Sequence, residues 1–277
     1  MTVTIDNIEG LFDTLMDMVF ARIRQPQPPM KQLLDTKLIS HRGVFDNRNI
    51  FENTLPAFQK ASDRNIWGIE LDIRWTEDLH PVVFHDPDLL RLFGRREIIS
   101  ELKYSGLKKK FPAIPSLHEI VEVFGGKTHL MVEIKSETST FVGRKNRVLA
   151  DIFSKLTPCK DYHFIGFDPE MYRYVDFVPP PVFLPIARTN IGFLSRQAIA
   201  KGFGGFCGHY ALMSRAVIKR HQKVGQRIGT GFPNSLNCLF REIHRGVEWI
   251  FSDRADALQQ MISAQLDVEN DVSRLDR

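Results

Sequence analysis

The sequence predicts an α/β fold: a (β/α)8 TIM barrel with a short hairpin arm after the second strand and an N-terminal helical extension. Three observations predict it. From residue 38 onward, short apolar runs of strand length alternate with segments of helical period. The alternation repeats eight times, and it fits into about 220 residues, the size and rhythm of such a barrel. A doubly wound sheet is the rival that periodicity leaves open. In both architectures the functional groups gather at the carboxyl ends of the strands.

Residues 1–37 stand apart as the helical extension. IEGLFDTLMDMVFARIR places apolar residues at Ile8, Leu11, Phe12, Leu15, Met16, Val19, Phe20 and Ile23, a helical period, until QPQPP breaks it. Asp13 and Asp17 inside the run argue against a secretory signal. The segment reads as a helix closing one end of the domain, with a membrane-surface or partner-binding helix as the alternative. The barrel domain spans 38–266. Its strands are expected at 38–42, 69–75, 130–135, 162–167, 182–187, 204–208, 227–231 and 249–253. Helices are expected at 54–64, 116–124, 140–156, 168–176, 192–201, 212–224, 235–245 and 255–266. Ser116 before LHEIVEVF and Gly125-Gly126 after it are start and stop signals. Residues 267–277 are a polar tail expected to fray.

One apolar run falls outside the count. PVVFH, 81–85, follows the second strand after only TEDLH, too short for a parallel crossover. It reads as a hairpin arm above the barrel rim. A turn centred near Asp78-Leu79 pairs residues whose numbers sum to about 157, which sets Asp72 opposite His85.

Composition bounds the function. The chain has 277 residues, 43% apolar and 25% charged, enough to bury a core without disulfides or a structural metal. Three scattered cysteines, Cys159, Cys207 and Cys238, fit a reducing compartment, and no stretch reaches the ~20 apolar residues of a membrane span. A cytoplasmic location is the expectation. The formal charge of +4 suits a small anionic substrate and falls short of a nucleic-acid footprint.

The chemistry concentrates at strand ends. Glu70 and Asp72 share one face of their strand, and Glu133 and Lys135 share a face of the next. Carboxylates packed into a barrel repel one another and lose hydration, so they need a cation. All-oxygen ligation favours Mg²⁺ or Ca²⁺; an ion-pair network with Arg or Lys is the other reading of the same spacing. His41 closes the first strand and His85 closes the arm. Two histidines beside an acidic cluster suit general acid–base work near neutral pH. Arg42 and Lys135 offer donors for a phosphate. Together these residue types describe phosphodiester cleavage. Thr54 reads as a helix cap, and Glu52 either reaches the metal or holds Arg42. KYSGLKKK, 103–110, reads as a solvated face or lid, and His118, His129, His163 and His209 as structural.

HRG at 41–43, ENTLPAF at 52–58, GIELDIRWTEDLHPVVFHD at 68–86, LLRLFG, IPSLHEIVE at 114–122 and VEIK at 132–135 follow one another in an order and spacing that resembles the glycerophosphodiester phosphodiesterase family, within the phospholipase-C-like TIM-barrel phosphodiesterases. The resemblance is dense over 38–136. FIGFDPE at 164–170 and GVEWIFSDRAD at 246–256 extend it more loosely, and residues 1–37 lie outside it. It implies that His41 and His85 are the acid–base pair, that Glu70, Asp72 and Glu133 hold a metal, and that Arg42 and Lys135 contact phosphate. The implied chemistry is attack by a substrate hydroxyl vicinal to the phosphate, giving a cyclic phosphate, followed by hydrolytic opening.

The second half departs from the pattern. The family's Trp-Thr-x-Asn near the seventh strand is replaced by IGTGFPNS, 228–235, where Phe232 and Asn234 are candidate pocket residues, and Ala255 stands where proline is common. Such loops shape the leaving-group pocket. Lysophospholipase D activity on lysolipids and non-catalytic binding of phosphodiester lipids are therefore the alternatives. Peripheral membrane contact through the N-terminal helix is the partner expectation beyond the small-molecule substrate.

Overall fold

The computed structural model describes residues 15–136 and 140–275. Eight parallel strands close into a barrel: β1 (Lys37–His41), β2 (Gly68–Trp75), β4 (His129–Ile134), β5 (Tyr162–Gly166), β6 (Phe183–Ala187), β7 (Gly205–His209), β8 (Arg227–Gly231) and β9 (Trp249–Ser252). The β1–β2 and β1–β9 pairings seal it, so no barrel edge is left open. The ninth strand, β3 (Pro81–Val83), is the arm. It lies antiparallel to Ile73–Trp75, on the edge of β2 opposite β4. Each strand falls within a residue or two of its expected place.

Helices α3 (Leu55–Asp63), α6 (Leu117–Phe124), α7 (Val142–Phe153), α8 (Ile191–Ala200), α9 (Arg215–Lys223), α10 (Leu236–His244) and α11 (Ala255–Leu275) surround the sheet. Ser116 caps α6 as the sequence predicts: its Oγ accepts from Glu119 N, and the Glu119 carboxylate accepts from Ser116 N at 2.7 Å. Thr54 occupies the cap position of α3, but its hydroxyl donates back to the Phe51 carbonyl at 2.6 Å and caps nothing. The helix expected at 168–176 is a 3₁₀ segment, Pro169–Tyr174. Pro169 and the Pro179–Pro181 run bracket it too tightly for full α-helical turns. At the other end α11 continues to Leu275, past the expected start of the tail.

Short helices fill the connections. The N-terminal run, whose residues Ile8, Leu11 and Phe12 lie outside the described residues, is helical over 15–21 (α1), and α2 (Met30–Leu34) leads into β1. Above the arm, α4 (Leu90–Phe93) and α5 (Tyr104–Lys110) cover a small core of Val82, Phe84, Leu89, Ile99, Leu107 and Ile114. No helix among the described residues is long and apolar enough to cross a membrane.

Strand alternation divides the core into two layers. Ile69, Leu71 and Ile73 of β2 and Leu130, Val132 and Ile134 of β4 pack outward against the helices. Ile39, Met131, Ile165, Leu184, Cys207, Trp249 and Phe251 fill the barrel interior. The register Gly68↔His129, Glu70↔Met131 and Asp72↔Glu133 makes the inward columns of β2 and β4 change character as they rise. They carry Gly68 and His129 at the floor, and carboxylates at the mouth.

The floor carries a testable consequence. His129 Nδ1 donates to the Lys160 carbonyl at 2.8 Å, which leaves its Nε2 to accept from His163 Nδ1 at 2.9 Å. Trp67 stacks on His129, with ring centroids 4.4 Å apart. Burial holds His129 down to about 4 and, with His129 beside it, His163 down to about 3, from an ordinary 6.5. The folded pair stays neutral where the unfolded chain takes up protons. The stability this confers is complete above the unfolded value and is lost as pH falls from about 6.5 toward the folded values, by up to ~1.4 kcal/mol per unit and histidine. Urea unfolding across that window should show the loss, and His163→Leu should flatten it; an unchanged slope would contradict the assignment.

Candidate active site

The mouth is built around the turn that ends β1. His41 pairs in register with Glu70, and the chain then turns sharply through Arg42 (φ 58°) and Gly43 (φ 86°). A Cβ at Gly43 would lie 2.8 Å from the Ala57 backbone carbon and Cβ, so only glycine allows α3 to approach this closely. Arg42, a non-glycine residue in the left-handed region, is held there by its own backbone. Its N–H faces both the carbonyl and the carboxylate of Glu70, each at 3.1 Å.

Glu70, Asp72 and Glu133 point inward together. One oxygen from each lies within 4.8 Å of the others, and all three residues are buried. Their environments differ. Asp72 accepts from Asn53 Nδ2 at 2.7 Å and is flanked by Lys135 Nζ at 2.6 Å and Arg42 Nε at 3.3 Å. Burial opposes its ionisation, but Lys135 and Arg42 outweigh that and hold it well below the carboxylate range. Glu133 shares Lys135 at 2.6 Å. Glu70 is less well supported: its Oε2 accepts from Arg42 N, but its Oε1 has no hydrogen-bond partner, and burial together with Asp72 and Glu133 outweighs His41 and Arg42 and pushes it up to about 8. Glu70 Oε1 is an orphaned buried donor atom in an all-oxygen set, as a hard divalent cation requires. The residues fit a metal. The ion-pair reading is also partly realised, because Lys135 is in contact with two of the three carboxylates.

Each histidine leans on an aspartate. His41 Nδ1 donates to Asp253 Oδ1 at 2.6 Å, its Nε2 lies 3.8 Å from Glu70 Oε2, and the Phe232 ring packs against it at 4.8 Å. Burial and Arg42 disfavour the His41 cation, yet Asp253 and Glu70 outweigh them and raise its pKa. His85 Nδ1 donates to Asp86 Oδ1, also at 2.6 Å. In both cases the carboxylate fixes the Nδ1–H tautomer and leaves Nε2 free for proton transfer.

His85 arrives by a register one residue away from the expected one. Ile73 opposes Val83, so Asp72 faces Phe84, whose N–H donates to the Asp72 carbonyl at 2.9 Å. The turn centres on Asp78: Thr76 N donates to the His80 carbonyl at 3.1 Å across a three-residue loop, Glu77 to Leu79, with Leu79 at φ 61°. His85 lies past the end of β3, and Arg74 holds its carbonyl at 2.7 Å.

Glu52 holds Arg42 at 3.0 Å and receives Arg91 at 2.6 and 2.9 Å, while Asn47 donates at 2.7 Å. Against the cost of burial, these donors keep it down at about 2. It braces Arg42 and lies outside the three-carboxylate cluster. Asn234 accepts from Ser252 Oγ at 2.8 Å and so steadies the loop that carries Asp253.

Four residues of the site escaped sequence reasoning: Asn53, Asp86, Arg91 and Asp253. His85-Asp86 adjacency and the strand-end Ser252-Asp253 were visible signals. Nothing local marked Arg91, which bridges Asp86 and Glu52 across a sequence gap of 39 residues from Glu52. The left-handed backbone of Asn53 (φ 57°) and its carboxylate partner are tertiary features.

Residues 41–188 match the model of the glycerophosphoryl diester phosphodiesterase family. The chain is 33% identical over 143 residues to a glycerophosphodiester phosphodiesterase of Caldanaerobacter subterraneus subsp. tengcongensis, a segment that is 47% of this chain and 55% of that one. It is 32% identical over 136 residues to the lysophospholipase D of Homo sapiens, covering 43% of this chain and 42% of that one. The chain thus spans about half the length of these curated relatives. In fold it is similar to an Oleispira antarctica phosphodiesterase solved with the product sn-glycerol-3-phosphate. The TM-score is 0.69 at 18% identity, with 82% of this chain and 96% of that one covered.

Proposed function

This chain belongs to the glycerophosphoryl diester phosphodiesterase family, and from that premise we propose that it hydrolyses glycerophosphodiesters to glycerol 3-phosphate and an alcohol, with Mg²⁺ or Ca²⁺ as cofactor. The observation that carries the proposal is the pairing at the mouth: two histidine–aspartate dyads flank a buried cluster of three carboxylates.

Glu70, Asp72 and Glu133 would hold the cation, which supplies charge stabilisation to the phosphoryl oxygens when bound. Arg42, braced by Glu52, directs a guanidinium toward the same space, and Lys135 supplies a mobile point charge. His41 and His85 divide the proton transfers. One accepts the proton of the glycerol hydroxyl next to the phosphate as that oxygen attacks phosphorus; the other donates a proton to the departing alkoxide. The products of this step are a cyclic phosphate and an alcohol. The roles then reverse as water opens the ring, and both imidazoles return to their starting state. Asp253 and Asp86 keep each Nε2 aimed and compensate the imidazolium that forms.

A second reading, lysophospholipase D cleavage of lysolipids, has a specific observation in its favour, the similarity to the human lysophospholipase D. The Phe232 ring beside His41 offers an apolar wall to either leaving group. A coupled assay for glycerol 3-phosphate on glycerophosphocholine, run beside choline release from lysophosphatidylcholine, separates them. Turnover of the short diester supports the proposal. Turnover of the lysolipid alone moves the substrate assignment, and silence on both rejects it.

A further inference from the structure

Outside the mouth, the flank where α1 meets the β7 and β8 units has two features the catalytic reading leaves unused. The first is the outer face of α1. Asp17 and Phe20 turn toward the barrel: Asp17 accepts from Asn234 N at 3.2 Å, and Phe20 meets Tyr210 edge-on at 5.6 Å. The opposite face presents Leu15, Met18 and Val19, and Ile23 follows just past the helix end, each 46–49% exposed, with Arg22 exposed among them. The spacing of three, four and eight residues makes this one apolar stripe, directed away from the protein.

The second feature adjoins it. A cavity of about 400 Å³ opens between Gln25, Leu212 and the start of α9, and Arg215, Arg241 and Arg245 line it. Among the described residues, Glu242 is the one carboxylate in ion-pair contact with these arginines, and it serves both Arg241 and Arg245. Asp17 is committed to Asn234 and Cys238. Arg215 is exposed, with no carboxylate partner among the described residues. Arg245 is 8% exposed and its Nε has no hydrogen-bond partner. Three guanidinium groups thus face one carboxylate: Arg245, the buried one, is paired with Glu242, and the surplus positive charge lies on Arg241 and the exposed Arg215 at the cavity opening. Burial, with Arg241 and Arg215 nearby and against the pull of Glu242, lowers the Arg245 pKa. Arg241 also stacks on Phe20 of the inner face, 4.4 Å from the ring centroid, and Gln25, two residues past the exposed Ile23, lines the cavity, so the cavity opens beside the end of the apolar stripe.

We propose that this flank docks on an anionic phospholipid surface, with a headgroup phosphate in the arginine-lined cavity and the Leu15, Met18, Val19 and Ile23 stripe among the acyl chains. The charge excess selects an anionic headgroup, and an apolar helix face beside it suits a bilayer interface. None of these residues touches the histidines or the three carboxylates, so docking stands or falls separately from the catalytic reading.

Co-sedimentation of the full chain with phosphatidylcholine vesicles, and with vesicles that also contain phosphatidylglycerol, tests it. Binding should favour the anionic vesicles by about tenfold or more and weaken with salt. Arg215→Glu should lose about tenfold of that binding, and the double variant Met18→Glu/Val19→Glu should lose nearly all of it, with thermal unfolding unchanged in both. Absence of vesicle binding, or binding that both variants retain, overturns the proposal. So does an Arg215-dependent thermal stabilisation by inorganic phosphate alone without vesicle binding, which would make the cavity a small-anion site.

Discussion

His41→Ala and His85→Ala should each lose at least a hundredfold in kcat on glycerophosphocholine while leaving circular dichroism unchanged, because general acid–base transfer contributes ~10²–10⁴. The structure makes the two losses comparable in kind. Each imidazole is anchored at Nδ1 by an aspartate at 2.6 Å, and both lie beside the same acidic cluster. Asp253→Asn, which keeps the shape but no longer fixes the tautomer, should cost less than His41→Ala and change the pH profile of kcat. Near-full activity in either histidine variant would remove that residue from the mechanism.

The second large effect is a contrast between two carboxylates two residues apart. Asp72→Asn should lose both activity and stability. The substitution leaves Lys135 and Arg42 buried with less negative charge between them, and breaking such a pair costs ~3–5 kcal/mol. Glu70→Gln should lose activity equally but keep or raise the thermal midpoint of the metal-free protein. It removes a buried carboxylate that two neighbours repel and whose Oε1 has no partner, while the amide oxygen can still accept from Arg42 N, and a gain of about 1 kcal/mol corresponds to ~2–4 °C. Thermal unfolding in EDTA reads both. A destabilised Glu70→Gln protein would mean that Arg42 N and His41 hold the charged Glu70 more strongly than burial and its carboxylate neighbours disfavour it, contrary to this account of the cluster.

Most of the barrel was legible because strand alternation and helix period are local signals, and here they agree along β1, β2 and β4. The metal-type cluster was legible for the same reason: Glu70 and Asp72 share a face by simple alternation, and Glu133 lies across from Asp72 in register. What escaped depended on long-range geometry. The one-residue register of the arm is set by the turn at Leu79, and a slip of one is invisible to an apolar run as uniform as PVVF. Arg91 reaches Glu52 only because α4 folds over the mouth. The Asp253–His41 bond joins the first and last strands, a contact that exists only once the barrel closes. The two roles proposed for Glu52 differed only in which neighbour it would meet, and Arg42 and Arg91 are the ones it meets.

The central claim is that Glu70, Asp72 and Glu133 hold a divalent cation required for phosphodiester cleavage. The most direct measurement is glycerol 3-phosphate release from glycerophosphocholine by protein stripped with EDTA, followed as Mg²⁺ or Ca²⁺ is titrated back. The account predicts negligible turnover in EDTA, saturable recovery with one of the two ions, and no recovery in Glu70→Gln. Full turnover in EDTA, or equal recovery in the variant, would contradict it.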